Sequence, residues 1–372
     1  MKFIFTCGGT AGHINPALAV ASEIKKKHPD CGILFIGAEG NMEMNLVPIE
    51  GYEILPVKIT NISRERSLSG LGHNIDTVKN VIKSTRDAKK IIQDFGPDAV
   101  IGTGGYVCFP VISAAASLGI PTVIHESNAA PGLTTKLLSK RADRILTGVD
   151  GREDEYPQPE KVIFTGTPVR SAFSQYTRQS ARAELGIGRD ERLVVSIWGS
   201  LGARFMNETV CKMLPMLNGS FRLVHATGKM YYEKFMAAIN EACPDYAGRN
   251  VEIREYIHDM GRLMTAADLV MCRSGASTLS ELAYMGRPAI LVPSPNVAEN
   301  HQEKNARVPE QAGGAEVILE RDMTPELLLE RINALLSDDE KLKSMSEGFL
   351  SLGRSDAAER IADIVLELAT EK

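Results

Sequence analysis

The sequence predicts an α/β protein of two doubly wound domains, each built around a parallel sheet. Three observations predict this fold class. Short apolar runs rich in β-branched residues alternate with helical or loop segments, which is the pattern of βαβ units. The pattern runs through the first half of the chain and begins again in the second half. The 372 residues also exceed the size of a usual single core, so two domains are expected.

Buried apolar runs are the predicted strands of both domains. In the first domain they are Phe3–Cys7, Ile33–Ile36, Ile54–Val57, Ala99–Ile101, Thr122–Ile124, Ile145–Thr147 and Val162–Thr165. In the second they are Leu193–Ile197, Arg222–His225, Val251–Ile253, Leu269–Cys272, Ala289–Val292 and Glu316–Leu319. A polar, proline-containing stretch separates the two sets and places the domains at 1–165 and 166–353. A last helix is predicted at about 354–372. It can pack on either domain, which includes packing back onto the first.

Composition and charge exclude several classes of protein. A net charge of -5 and a sequence pI of about 5.9 argue against general nucleic-acid binding, which needs an excess of Lys and Arg. The six cysteines form no Cys-x-x-Cys pair, which favours a reducing cytoplasm and no structural zinc. The uncharged stretch Ala99–Ile124 is long enough to cross a bilayer, but its internal glycines and prolines divide it into the strands and helix of a buried sheet.

The segment Arg273–Glu281 follows an apolar run and predicts a turn from a strand into a helix. Small residues from Ser274 to Thr278 let an anion approach the backbone N–H groups at the positive end of that helix. Glu281 lies further into the helix, and its acceptor-only carboxylate suits the vicinal diol of a ribose. The segment is therefore a candidate site for a nucleoside diphosphate. An ordinary corner capped by Ser274 explains the same residues.

A glycine-rich loop, Gly8–His13, leads from the first strand into a predicted helix, Pro16–Lys27, with Pro16 in its first turn. The glycines allow close approach of a pyrophosphate. The spacing matches neither the dinucleotide fingerprint nor the lysine-bearing phosphate loop, so NAD and ATP chemistry are not supported and no cofactor is expected. His13 has two interpretations: a structural residue that caps the loop, or a base that takes a hydroxyl proton.

Further polar loops follow other predicted strands. Ligands bind at the carboxyl ends of strands in open α/β sheets, so we expect these loops to line a cleft between the domains. Gly102–Tyr106 suits a second anion, whereas His125–Asn128 is either part of the site or a polar turn before a proline. In the second domain, Ser200 lies in a tight glycine-containing turn and its hydroxyl is available to phosphate.

The remaining candidates concern the sugar and the charge of a leaving group. Gln302 and Asn305 share one helix face, and their amides suit sugar hydroxyls. The sequence contains no Asp-x-Asp triplet, so the common carboxylate site for a metal bridging a nucleotide-sugar diphosphate is missing. The charge of a leaving diphosphate would then be met by helix dipoles and a cation such as Arg170.

Seven of these segments, in this order, resemble the bacterial peptidoglycan N-acetylglucosaminyltransferases that convert lipid I to lipid II, the MurG family. The resemblance spans nearly the whole chain. It is carried by Gly8–His13 with Pro16–Leu18, Gly102–Tyr106, His125–Asn128 with Pro131–Gly132, Gly166–Arg170, Gly199–Ala203, Arg273–Glu281 and His301–Asn305.

The resemblance implies a GT-B fold, in which two Rossmann-like domains with parallel sheets face an interdomain cleft. The acceptor, the polyprenyl-diphosphate-linked lipid I, would bind mainly to the N-terminal domain and UDP-N-acetylglucosamine to the C-terminal one. Transfer to the muramoyl C4 hydroxyl would invert the anomeric carbon, with His13 as the first choice of base and Glu126 as the second. The implied donor contacts are Thr10, Ala11, Gly12, Asn128, Arg170, Ser200, Ile257, Ala276, Ser277, Thr278, Leu279, Ser280, Glu281 and Gln302. Of these, Ile257 would lie against uracil and Glu281 on the ribose diol.

Five positions depart from the residues usual in that family. Ala11 replaces a glycine, Ser127 a glutamine, Thr167 an asparagine, Trp198 a glycine and Leu201 a glutamine. Ala11 is expected to restrict the loop backbone, and Trp198 to place a bulky ring beside the nucleotide loop. Neither change removes a group assigned to the chemistry.

The resemblance also implies a peripheral protein at the cytoplasmic face of the bacterial cell membrane, with an anionic membrane surface and other cell-wall synthesis proteins as partners. Its role would lie in cell-wall synthesis, and so in cell shape and division. The segment Asn74–Phe95 mixes apolar and basic residues and is a candidate docking helix, with Arg64 and Arg66 adding attraction. An ordinary surface helix with its apolar stripe on the core is the alternative.

Two other functions fit the same sequence features. One is a different GT-B enzyme, such as a glycolipid glycosyltransferase or a UDP-N-acetylglucosamine epimerase. The other is a non-catalytic regulator that binds a UDP-sugar without turnover. Turnover and its dependence on an acceptor distinguish these alternatives from the main prediction.

Overall fold

The structure, a computed structural model, describes residues 1–59, 68–170, 173–199 and 202–371, with the side chains of 68–79 and 298 left out of the description. The chain forms two compact units. The first consists of Met1–Val169 together with Arg354–Lys372, and the second is Arg170–Gly353. Arg64, Arg66, Ser200 and Leu201, named in the sequence predictions, lie outside the described residues.

The described part of the first unit contains a seven-stranded parallel sheet in the order β3-β2-β1-β4-β5-β6-β7. Its strands are β1 (Lys2–Thr6), β2 (Gly32–Ala38), β3 (Glu53–Val57), β4 (Ala99–Gly102), β5 (Thr122–Glu126), β6 (Arg144–Thr147) and β7 (Val162–Phe164). Its helices are α1 (Ala11–Lys27), α2 (Glu43–Ile49), α3 (Leu68–Phe95), α4 (Cys108–Ser117), α5 (Leu133–Ser139) and, from the end of the chain, α14 (Ala357–Thr370).

The described part of the second unit contains a six-stranded parallel sheet in the order β10-β9-β8-β11-β12-β13. Its strands are β8 (Leu193–Ile197), β9 (Arg222–Ala226), β10 (Val251–Arg254), β11 (Leu269–Cys272), β12 (Ala289–Leu291) and β13 (Ala315–Val317). Its helices are α6 (Arg178–Glu184), α7 (Arg204–Met213), α8 (Tyr232–Ala242), α9 (Met260–Ala266), α10 (Ala276–Met285), α11 (His301–Gln311), α12 (Pro325–Leu336) and α13 (Asp339–Leu350). The predicted fold class, two doubly wound parallel sheets, is confirmed.

Apolar side chains on both faces of each sheet explain why the strands read as continuous apolar runs. In β1, Phe3 and Phe5 belong to one buried cluster and Ile4 to the cluster on the opposite face. The last helix, α14, packs on α1 within the first unit, where Ile361 and Val365 join the same cluster as Phe3. All six cysteines are buried and unpaired.

The first helix begins earlier than predicted, at Ala11 instead of Pro16. Thr10 is extended, and its carbonyl accepts the N–H groups of both His13 and Ile14, so the first turn closes before the proline is reached. Pro16 therefore lies inside α1, where it removes one ladder hydrogen bond without breaking the helix. This correction brings His13 into the first turn of α1.

The uncharged stretch Ala99–Ile124 folds as predicted into β4, α4 and the start of β5. Of the helices in the described ranges, none combines the length and the hydropathy needed to cross a bilayer.

Asp268, immediately before β11, is a buried charge centre of the second unit. Its carboxylate accepts hydrogen bonds from Arg178 Nη2 at 2.6 Å, Arg182 Nη1 at 3.0 Å and Arg192 Nη1 at 3.3 Å. It also accepts the Leu193 N–H at 2.8 Å, at the start of β8. Burial alone would raise the pKa of Asp268, but the Leu193 N–H and the arginines outweigh burial and hold that pKa below its usual value. Asp268 thus ties α6 to the central strands of the second sheet.

We expect Asp268→Asn to lower the free energy of unfolding of the second unit by about 3 kcal/mol, because it leaves neighbouring guanidinium groups without their buried counter-charge. Trp198 is the chain's single tryptophan and lies in this unit, so its fluorescence during urea unfolding reports the change. The matched control is Asp339→Asn. Asp339 also pairs with Arg192, but its side chain is 76% exposed, so the expected cost is below about 1 kcal/mol.

The effect of Asp268→Asn on the free energy of unfolding should depend on pH. The pKa of Asp268 is depressed in the folded state, so its stabilisation is complete above the usual aspartate value of about 3.9 and is lost as the pH falls through the folded-state value. Equal losses of unfolding free energy for Asp268→Asn and Asp339→Asn would contradict this account. A difference between the two losses that does not become smaller as the pH falls would contradict it as well.

Candidate active site

The strand order of the first sheet reverses between β1 and β4, which pair with each other. Crevices at such a switch point, at the carboxyl ends of the strands, are the usual ligand sites of doubly wound sheets. β1 leads into the segment Gly8–His13, and β4 ends at Gly102, the first residue of Gly102–Tyr106. β5, next to β4, ends at Glu126, within His125–Asn128. The fold therefore brings together the three first-domain motifs that the sequence singled out.

His13 is held at this switch point by backbone groups of both glycine loops. Its Nδ1 lies 2.9 Å from the Gly8 carbonyl oxygen. Because a carbonyl can only accept, this contact requires the proton on Nδ1, which leaves Nε2 of the neutral ring with its lone pair. Among the described residues, no hydrogen bond to Nε2 is present. The Thr103 hydroxyl donates to the His13 carbonyl at 2.7 Å and fixes the start of α1 to the loop after β4.

The His13 ring lies directly against the backbone of Gly104. A Cβ atom at position 104 would be 2.5 Å from His13 Cδ2 and 3.0 Å from His13 Nε2. Gly104 also has a φ of 118°, which L side chains rarely adopt. The second glycine loop therefore supplies a close wall for the imidazole, a role the sequence prediction did not foresee.

Glu126, the second candidate for the base, is buried and fully engaged. Its Oε1 accepts from the Asn128 N–H at 3.0 Å and Nδ2 at 2.7 Å, and its Oε2 accepts from the Gly132 N–H at 3.1 Å and the Thr135 hydroxyl at 2.6 Å. These four donors occupy the lone-pair positions of a carboxylate. The geometry argues against Glu126 as a proton acceptor and identifies it as the group that shapes the loop after β5, including Asn128.

The predicted phosphate-facing residues Thr10, Ala11 and Gly12 lie at the N-terminal end of the 17-residue helix α1. Thr10 is exposed, and Ala11 and Gly12 are half-buried. Ala11 is the first helical residue and does not have a positive φ, so the expected restriction of the loop by this alanine costs nothing here. The start of α1 thus presents a positive helix end beside His13.

The second sheet has its own switch point between β8 and β11. β11 leads through Arg273–Gly275 into α10, whose first residues, Ala276 to Ser280, are all half-buried. The N-cap is Gly275, whereas Ser274 is fully buried and donates its hydroxyl to the Gln302 carbonyl at 2.7 Å. The alternative of a corner capped by Ser274 is therefore wrong.

The first turns of α10 contain several of the implied donor contacts. The Ser280 hydroxyl donates to the Ala276 carbonyl at 3.0 Å. The implied donor contacts Ser277, Thr278 and Leu279 lie in the same half-buried first turns of α10. The first turns of α10 are thus half-buried, and anion binding at this helix end stays a prediction.

Glu281 and Arg170, both in the second unit, form an ion pair that the sequence analysis did not anticipate. Arg170 Nε and Nη2 both donate to Glu281 Oε1, at 3.1 and 2.9 Å. The Glu281 side chain is only 9% exposed, and burial raises its pKa while the Arg170 guanidinium opposes that rise. No described residue donates a hydrogen bond to Glu281 Oε2. Arg170 also lies over the Phe173 ring, 4.9 Å from its centroid.

Gln302 and Asn305 lie on α11 but do not act as an equivalent pair. Asn305 is buried and donates from Nδ2 to the Ser274 carbonyl at 3.2 Å, so it holds the loop before α10. Gln302 is half-buried, and its Oε1 accepts the Ser294 N–H at 2.9 Å. Ile257, in the loop between β10 and α9, is buried.

Trp198 directly precedes the Gly199–Ala203 turn, beside which the sequence analysis expected a bulky ring. Its ring belongs to the buried core of the second unit, and its Nε1 donates to the Ser196 hydroxyl at 2.8 Å. The same hydroxyl is 2.8 Å from His225 Nδ1, and the Arg273 guanidinium lies 5.9 Å from the tryptophan ring centroid. A polar partner inside the core and a cation above the ring explain why a large indole fits there.

Two parallel doubly wound sheets, each with a turn into a helix N-terminus at its switch point, are the architecture of the GT-B glycosyltransferases. Comparison with known proteins agrees. The family model described as the glycosyltransferase family 28 N-terminal domain matches residues 3–147, and the model of the C-terminal domain of the same family matches residues 193–361.

Full-length relatives make the assignment more specific. The UDP-N-acetylglucosamine--N-acetylmuramyl-(pentapeptide) pyrophosphoryl-undecaprenol N-acetylglucosamine transferase of Acetivibrio thermocellus is 45% identical over 100% of this chain and 99% of the relative. The crystal structure of Acinetobacter baumannii MurG matches with a TM-score of 0.77 at 27% identity, covering 98% of this chain and 99% of that one. A putative UDP-N-acetylglucosamine 2-epimerase from Listeria monocytogenes matches with a TM-score of 0.68 at 16% identity, covering 100% and 97% of the two chains, and shows likeness of fold alone. The chain belongs to glycosyltransferase family 28, and within it to the family of these N-acetylglucosamine transferases.

Proposed function

We propose that this glycosyltransferase moves N-acetylglucosamine from UDP-N-acetylglucosamine to the muramoyl C4 hydroxyl of undecaprenyl-diphospho-MurNAc-pentapeptide, the step from lipid I to lipid II in peptidoglycan synthesis. One observation carries the proposal: relatives whose names state this reaction match 98–100% of the chain at 38–45% identity. The geometry of the two switch points supplies groups suited to each part of the reaction.

His13 is the proposed base. The acceptor hydroxyl must lose its proton as its oxygen attacks the anomeric carbon, and UDP leaves from the opposite face of the sugar. His13 Nε2 is the ring nitrogen with a lone pair, and its tautomer and ring plane are held by the Gly8 carbonyl and the wall at Gly104. A positioned imidazole that is neutral near physiological pH is the usual group for this proton transfer.

The proposed donor site collects backbone and side-chain groups around UDP. The N-terminal end of α10 would face the diphosphate, because unpaired N–H groups and the helix dipole stabilise the negative charge of the leaving group. Thr10, Ala11 and Gly12 belong to the proposed set by their position in the family motif. Glu281 would accept the ribose hydroxyls through Oε2, to which no described residue donates a hydrogen bond. Asn128, Ser200, Ile257 and Gln302 complete the set by their positions in the family motifs.

We also propose peripheral binding to the cytoplasmic face of the membrane, where a polyprenyl diphosphate acceptor is anchored. On α3, Ala88 and Ile92 are buried in the core cluster that includes α4 residues, so the apolar stripe of this half of the helix serves the core. The outward face exposes Ile82 beside Lys83 and Arg86. The exposed side of α5 likewise presents Leu133, Leu137 and Lys140. Exposed apolar side chains among basic residues suit binding to an anionic lipid surface.

The alternatives predict different products. An epimerase converts the UDP-sugar without any acceptor, and a non-catalytic regulator binds it without turnover. Likeness to the Listeria protein at 16% identity supports only the shared fold. A base candidate whose Nε2 accepts no hydrogen bond from the described residues, beside the N-terminus of α1, favours group transfer over simple binding.

The direct test is transfer of labelled N-acetylglucosamine into lipid by the purified protein, with and without a lipid I analogue. We expect acceptor-dependent transfer, and His13→Ala should lower kcat by about 10²–10⁴-fold with near-normal binding of UDP. His28→Ala is the matched control, because His28 lies exposed at the other end of α1. Acceptor-independent conversion, or binding without transfer, would contradict the proposed reaction. Full activity of His13→Ala would contradict the base assignment alone.

A second prediction separates two roles of Arg170. If Arg170 acts by holding Glu281 on the ribose, Arg170→Met should weaken uridine and UDP equally, by roughly 10–100-fold, the worth of a charged hydrogen bond. If it binds the diphosphate instead, UDP should weaken and uridine should not. Calorimetric competition measures both affinities. Arg331→Met is the control, because Arg331 makes a comparable two-bond pair with Glu316 in the same unit.

Membrane docking predicts a loss of binding on charge reversal. Changing Lys83, Arg86 and Lys90 to Glu should reduce binding to anionic liposomes by about 100-fold, because each basic residue near the surface contributes about 1 kcal/mol. Reversing the exposed lysines 234, 341 and 343 of the second unit makes the same change in net charge and serves as the control. Equal loss in both triple variants, or none in the first, would exclude this surface.

A further inference from the structure

Glu43 is a fully buried carboxylate that the sequence analysis passed over. It is the first residue of α2, and its side chain reaches the glycine loop after β1. Oε1 accepts the Ala38 N–H at 2.9 Å, and Oε2 accepts the Gly9 N–H at 3.0 Å. Among the described residues, no salt bridge to Glu43 is present. A buried charge is costly unless hydrogen bonds compensate it, so these two backbone contacts are its main stabilisation.

The Gly9 N–H and the Gly8 carbonyl belong to the same peptide group. A peptide group is planar and trans, so its N–H and C=O point in opposite directions. Glu43 holds the N–H, and the carbonyl on the other side accepts His13 Nδ1–H at 2.9 Å. Rotation of this peptide away from Glu43 would therefore also withdraw the acceptor from His13.

Two further observations show that Gly8, whose carbonyl belongs to this peptide, is itself held closely in place. The Gly8 N–H donates to the Gly104 carbonyl at 3.1 Å, which joins the turn to the loop after β4. A Cβ atom at position 8 would be 2.3 Å from Glu43 Oε1. Glycine at position 8 is therefore what lets the carboxylate approach the turn so closely.

We propose that Glu43 is a positioning residue for the transfer reaction, acting on His13 through the Gly8–Gly9 peptide group. The carboxylate sets the direction of the Gly8 carbonyl. It also polarises the peptide, which strengthens the carbonyl as an acceptor for Nδ1–H. The carbonyl in turn keeps Nε2 unprotonated and oriented. This inference rests on the proposed role of His13 as the base.

The test measures whether Glu43 acts through His13. Glu43→Gln keeps the shape but turns an NH₂ group toward one of the two N–H donors. We expect kcat to fall by about 10–100-fold, the size found for groups that orient metal-binding histidines, with the Kd for UDP and the donor KM within about twofold of the unchanged protein. In the His13→Ala background the same substitution should have no further effect on kcat, because the residue it positions is already gone.

Two variants make the result specific. Glu50→Gln, at the exposed C-terminal end of α2, is the control and should leave kcat unchanged. Glu43→Asp keeps the charge but shortens the side chain by one methylene, and it replaces Glu43→Gln if that variant fails to fold; the same fall in kcat is expected.

Two results would overturn the inference while the proposed function stands. One is an unchanged kcat in both Glu43 variants, and the other is an equal fall in kcat with and without His13. A wild-type protein without acceptor-dependent transfer, or a fully active His13→Ala variant, would instead overturn the function or its base assignment, and this inference with it.

Discussion

The hydrogen bond from His13 Nδ1 to the Gly8 carbonyl is the contact on which the proposed chemistry of the first unit depends. It decides which ring nitrogen carries the proton, and so which one can accept another. Several neighbouring residues hold the two groups of this hydrogen bond in place. The Glu43 carboxylate can approach the turn because glycine occupies position 8, and the His13 ring fits because glycine occupies position 104. The buried Glu43 holds the far side of the same peptide.

The proposed role of the second unit is a different one, the recognition of a nucleotide. Its key carboxylate, Glu281 on α10, is buried, and burial raises its pKa while a neighbouring cation opposes that rise. Arg170 provides that cation through two hydrogen bonds to one oxygen and leaves the other oxygen open. Each switch point thus has a half-buried helix N-terminus and one side chain that a partner holds in place. The Gly8 carbonyl holds His13, and Arg170 holds Glu281.

The sequence predicted the strands well because a parallel sheet buried on both faces leaves a strong local signal. It also placed the right loops at the strand ends, since that follows from topology. It misplaced the start of α1 because proline is favoured in a first turn yet tolerated within a helix. It missed the Glu43–Gly9 contact, the saturation of Glu126 and the pairing of Arg170 with Glu281. Glu43 and Gly9 are 34 positions apart in the chain, and Arg170 and Glu281 are 111 positions apart. These two contacts and the hydrogen bonds of Glu126 depend on three-dimensional geometry, which the periodicity of a sequence does not reveal.

The most direct test of the account is the tautomer of His13 in the unmodified protein, read from imidazole ¹⁵N chemical shifts under conditions where the ring is neutral. The chain has seven histidines, so the His13→Ala spectrum identifies the signal. The account predicts a proton on Nδ1 and a bare Nε2, held against the Gly8 carbonyl. A proton on Nε2 would contradict it, because that nitrogen could not then take the proton of an acceptor hydroxyl.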